Sequence, residues 1–111
     1  MKGITLAEQG HIVNILPPVD ITGAATTSDW FNLKNYAHAS IILTMGVTGA
    51  AATVTVKEAA SSAGGSSATI AFAVYKEETA AGDTLGTRVA ATATGFVSST
   101  NNSITYVIEV D

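Results

Sequence analysis

A chain of 111 residues with a net charge of −4 and no cysteine can bury one hydrophobic core, but it lacks the means for disulfides or thiolate metal sites. Its acidic balance also opposes a phosphate backbone, so nucleic acid is not an expected partner. Only 13% of the residues are charged, about half the usual share, while Ala, Thr, Ser and Gly together make up about half the chain.

The first stretch with a definite pattern is "EQGHIVNILPPVDI", Glu8 to Ile21. It places Ile12, Val13, Ile15 and Leu16 ahead of Pro17-Pro18. Prolines lock φ and remove backbone donors, so neither a helix interior nor a central strand accepts them. Residues 1–22 therefore read as an extended arm. Adjacent side chains of an extended chain point to opposite sides, so the four aliphatic residues cannot all face one surface. Docking of the arm on a neighbouring subunit is the expected use; an edge strand lying on its own sandwich is the plainer reading. The start "MKGITLAEQGHI" has no continuous apolar core of the kind a secretory signal needs.

A linker rich in Gly, Thr and Ser, "TGAATTSD", leads to the aromatic cluster Trp30, Phe31 and Tyr36. Aromatics of this kind serve as core or interface anchors, and a sugar-stacking platform is the alternative. From here to Asp111 the recurring period is two. Ile41, Leu43, Met45 and Val47 share one face of a strand, and so do Val54 and Val56, with Thr53, Thr55 and Lys57 opposite. Ile70, Phe72 and Val74 alternate with Ala71, Ala73 and Tyr75. A weaker strand is expected near Arg88 to Phe96, and Ile104, Tyr106, Ile108 and Val110 close the series. Turns fall at Gly64-Gly65 within Ser61 to Ser67, at Gly82-Asp83, and at Asn101-Asn102, whose side chains tolerate left-handed geometry. Short strands at regular spacing predict an all-β fold, an antiparallel β-sandwich of jelly-roll or Ig-like type. The expected division is an arm over 1–22 and a β-sandwich over 23–111.

Tyr36 to Val56 has no Lys, Arg, Asp or Glu and is long enough to span a bilayer. Thr44, Thr48, Thr53, Thr55, Gly46 and Gly49 interrupt it, so two strands and a turn are expected there rather than a membrane span. The outer rows of these strands are Ala, Ser and Thr, flat and weakly polar, which suits close approach by another protein surface; a small-residue sheet open to solvent is the plainer reading.

Catalytic chemistry finds little footing. His11 and His38 are the only histidines. A metal site would need both, with Asp20 or Asp29, and no ligand spacing supports that. Ser40 shares a strand face with His38, but no G-x-S-x-G elbow occurs. Glu77 and Glu78 point to opposite faces, and there is no phosphate-binding glycine loop. Asn101-Asn102-Ser103 matches the short glycosylation pattern. No enzyme activity, cofactor or metal is expected.

Three stretches carry a resemblance: "MKGITLAEQGHIVNILPPVDITG", "NYAHASIILTMGVTGAAATVTV" and "YKEETAAGDTLGTRVA". They resemble a group of small tailed-bacteriophage proteins associated with virion structural genes near the capsid gene. The likeness covers most of the chain, although members of that group continue past the "YVIEVD" at which this one stops. The resemblance implies a capsid-associated or decoration protein without catalytic residues. Its partners would be the major capsid protein and copies of itself, for example as a trimer, with no nucleic acid and no membrane. It would be made in the host cytoplasm and located on the capsid surface of the virion. The assembly interface expected from the residues is Ile12, Val13, Ile15, Leu16, Pro17, Pro18, Trp30 and Phe31. A carbohydrate-binding or host-attachment module using Trp30 and Tyr36, and a tail or fibre subunit, are the alternative functions.

Overall fold

A computed structural model describes residues 3–76 and 86–111. The chain separates into two compact units, Met1–Phe31 and Asn32–Asp111. The turn expected at Gly82-Asp83 and the pair Glu77-Glu78 lie outside the described residues.

In the first unit the arm is not extended throughout. One helical turn, α1 (Leu6–Gln9), is followed by Gly10. Leu, Ala, Glu and Gln are strong helix formers. The turn is closed by bonds from the Glu8 and Gln9 amides to the Thr5 carbonyl and from the Gly10 amide to the Leu6 carbonyl. Beyond it the chain runs without regular structure to Phe31. Side-chain acceptors shape it locally: Asn14 Oδ1 accepts from the Leu16 amide at 3.1 Å and Asp20 Oδ1 from the Thr22 amide at 2.8 Å. These are Asx turns, in which a short side chain substitutes for a backbone acceptor.

The second unit is all-β and antiparallel. Its strands are β1 (Ala39–Met45), β2 (Thr53–Val54), β3 (Val56–Glu58), β4 (Ala68–Ile70), β5 (Phe72–Lys76), β6 (Val89–Ala91), β7 (Phe96–Val97) and β8 (Ile104–Val110). They form a four-stranded sheet in the order β1-β8-β5-β6 and two pairs, β2-β7 and β3-β4. Along β8 the alternation in the sequence has a direct counterpart in burial, whereas on β5 Ala73 is buried between Phe72 and Val74. Ile104, Tyr106, Ile108 and Val110 are buried along β8, as are Phe72 and Val74 on β5, Met45 on β1 and Ala91 on β6. Ile41, Leu43, Val54, Val56, Ile70 and Phe96 pack against them, half-buried. Phe96 links two rings, meeting Phe72 edge-on at 6.0 Å between centroids and Tyr106 at 5.0 Å. Full burial of one large apolar side chain is worth about 1.5–3 kcal/mol, so this cluster is what holds the unit together.

Three local expectations require correction. Val47 does not continue the inward row of β1. The ladder ends where Met45 meets Ile104, and Val47 beyond it is exposed. The segment from Arg88 to Phe96 is two short strands, not one. The chain turns at Thr92–Gly95, closed by a 2.9 Å bond from the Gly95 amide to the Thr92 carbonyl, and Gly95 has φ +81. At Asn101-Asn102 the left-handed residue is the following Ser103 (φ 57). The asparagines instead bind the exit of β1: Asn102 Oδ1 accepts from the Thr48 amide and the Asn101 carbonyl from the Thr48 hydroxyl, both at 3.0 Å.

The expected hairpin at Ser61 to Ser67 joins β3 to β4, with Gly64 at φ 79 and Ser66 at φ 54. Among the described residues, no helix is long and apolar enough to cross a membrane.

Candidate functional site

Two features of the described surface could carry function. One is the apolar side of the first unit, and the other is a polar cluster on the outer face of the four-stranded sheet.

The buried hydrophobic residues all lie between Met45 and Val110. No described residue of the first unit is buried, and seven of its large apolar side chains are exposed: Ile4, Leu6, Ile12, Val13, Val19, Ile21 and Phe31. Of the residues expected at an assembly interface, Ile12 is 64% and Val13 52% exposed. Ile15 and Leu16 are half-buried, Pro17 and Pro18 exposed, and Trp30 half-buried. Exposure therefore runs by neighbouring pairs and not by strict alternation. The Asx turn at Asn14 is the reason, because it bends the chain between the two pairs and removes the period of two that a straight strand would impose. The Asp29 amide donates to the Ile15 carbonyl at 2.8 Å. That bond brings the backbone before Trp30 and Phe31 beside the Ile15-Leu16 pair, so residues distant in sequence meet here.

Tyr36, the other residue of the alternative sugar platform, is exposed in the second unit, its amide donating to the Leu33 carbonyl at 2.9 Å.

The polar cluster was only half visible in the sequence. Ser40 and His38 do share a face, with Ser40 Oγ 3.4 Å from His38 Nε2. The strand register adds what sequence spacing could not: Ser40 pairs with Glu109 and Ala39 with Val110, which brings the end of β8 beside His38. His38 Nδ1 bonds Asp111 Oδ1 at 2.7 Å, and Nε2 bonds Glu109 Oε2. The Ser40 hydroxyl donates to that same Glu109 oxygen at 2.6 Å. The two carboxylates, Asp111 foremost, hold the His38 pKa above the usual histidine value.

The grouping of Ser, His and carboxylates invites comparison with a hydrolase triad, but the roles differ. A triad needs a neutral imidazole accepting the serine proton. Here the serine donates to a carboxylate, and both ring nitrogens are taken up by acids. Nor does the cluster converge on a metal: among the described residues no group of three or more His, Asp or Glu side chains is placed to hold one.

An apolar depression of about 180 Å³ is lined by Val74, Val89, Phe96, Val97 and Tyr106. Its polar group, the Tyr106 hydroxyl, already accepts from the Ser99 amide at 2.8 Å. The rest of the lining is apolar. No family model, curated protein or solved structure matches the chain.

Proposed function

We propose that the chain is a non-catalytic structural subunit of a tailed-phage virion, a head decoration protein that binds the capsid shell and copies of itself. The observation that supports this best is the distribution of apolar surface. The first unit displays seven large apolar side chains and buries none of its described residues. So many exposed large apolar side chains on a unit without a core of its own suit an interaction surface. On this reading the β unit is a sandwich-type body, and Ile12, Val13, Ile15, Leu16, Pro17, Pro18, Trp30 and Phe31 form the anchor. The mechanism is passive burial. Each aliphatic side chain that goes from exposed to buried contributes about 1.5–3 kcal/mol, repeated at every copy around a shell. The resemblance of "MKGITLAEQGHIVNILPPVDITG" to phage virion proteins supplies the kind of partner.

The test is removal of residues 1–21. Every buried core residue among the described ones lies outside that segment, so circular dichroism should keep its sheet signal while co-sedimentation with capsid shells is lost. An unfolded truncated chain would assign the segment to the core. Undiminished shell binding would move the anchor to the Ala and Thr rows of the sheet faces.

A further inference from the structure

We propose that His38, Glu109 and Asp111 form a pH-dependent clasp that holds the chain where it enters β1 against the last residues of β8. The ladder between these strands begins at the pair Ala39 and Val110, so strand pairing does not hold residue 38 itself. It is held through its side chain. Nδ1 bonds Asp111 Oδ1 at 2.7 Å, and Nε2 bonds Glu109 Oε2. Carboxylates only accept, and a neutral imidazole has a single N–H. Both bonds can exist together only on the imidazolium.

Loss of the ring proton therefore does two things. It removes one of the two bonds, and it leaves the carboxylates of Glu109 and Asp111, two positions apart on one strand face, without the cation between them. Little else on that face can compensate. From β1 the neighbour is Ser40, an uncharged donor to Glu109. From β5, Ala73 stands opposite Glu109, and Tyr75 stands opposite Val107. On β6, Ala90 stands opposite Ala73. No other charged side chain described on these strands faces the ring.

The sign follows from the raised pKa of His38. The stabilisation is complete below the ordinary histidine pKa of about 6.5 and is lost as pH rises through the raised value.

The experiment is an NMR titration of the full chain, following the ring protons of His38, with His11→Gln to assign them. Amide exchange protection at Ala39–Ile41 is recorded over the same range. In the double variant Glu109→Gln/Asp111→Asn the His38 midpoint should fall toward the ordinary histidine value. In the unsubstituted chain, protection at Ala39–Ile41 should drop as pH passes the His38 midpoint, and in His38→Gln it should be low on both sides of it. A midpoint unmoved by the double substitution overturns the clasp, as does protection that stays constant through the titration.

Discussion

Gly95 lies directly against Val54: a Cβ placed on Gly95 would stand 2.1 Å from the Val54 carbonyl oxygen and 2.9 Å from Thr55 Cγ2. The contact falls where β2 gives way to β3, at the unpaired Thr55. Gly95 also has φ +81, a conformation that L side chains rarely adopt. Gly95→Ala thus meets strain and collision together and is expected to cost more than about 2 kcal/mol. Gly23, with φ +77 and nothing within 4 Å of an added Cβ, isolates the backbone part, and Gly23→Ala should cost only about 1 kcal/mol. Urea denaturation of the two variants provides the comparison. Equal losses would show that the Val54 contact is irrelevant.

Ile108 and Ile42 sit on neighbouring strands and point to opposite sides of the same sheet. Ile108 is 2% exposed and Ile42 67%. Ile108→Ala should destabilise by about 2–5 kcal/mol through lost burial and the cavity left behind. Ile42→Ala should stay within about 0.5 kcal/mol. Thermal midpoints measured side by side check the pair. A large effect at Ile42 would mean that the outer face is covered in solution.

Tyr106 is buried, yet its hydroxyl accepts a hydrogen bond from the Ser99 amide at 2.8 Å. Tyr106→Phe keeps the ring packing against Phe96 and removes the acceptor. The expected loss is about 1 kcal/mol, seen as a lower denaturation midpoint with an unchanged m-value. An unaltered midpoint would show that water replaces the hydroxyl without cost.

Much of the β unit was legible because burial and alternation coincide. β8 reads inward at every second residue from Ile104 to Val110, and the register with β1 and β5 keeps those residues on one side. Val47 failed because periodicity cannot say where a partner strand begins. The break at Thr92–Gly95 was missed because Thr and Ala continue a strand pattern while a single Gly reverses the chain. The turn Leu6–Gln9 could have been read from its helix formers and the Gly after them, but the prolines downstream dominated the reading of that segment. The acids around His38 were beyond local inspection, since they lie 71 and 73 residues away and meet it only through strand register.

The pairing of β1 with β8 has a kinetic side. Ala39 faces Val110 and Met45 faces Ile104, so the first strand of the unit waits for the last. During synthesis Ile41 and Leu43 emerge early, and the surface that covers them emerges only with β8, Ile104–Val110. Contacts this far apart in sequence slow folding into the millisecond-to-second range. Over that interval a nascent chain carries an unpaired, uncharged strand of seven residues, the kind of segment that pairs with other chains. Four of its seven residues, Ile41, Ile42, Leu43 and Met45, are large and apolar, so that hazard lasts until β8 pairs with it.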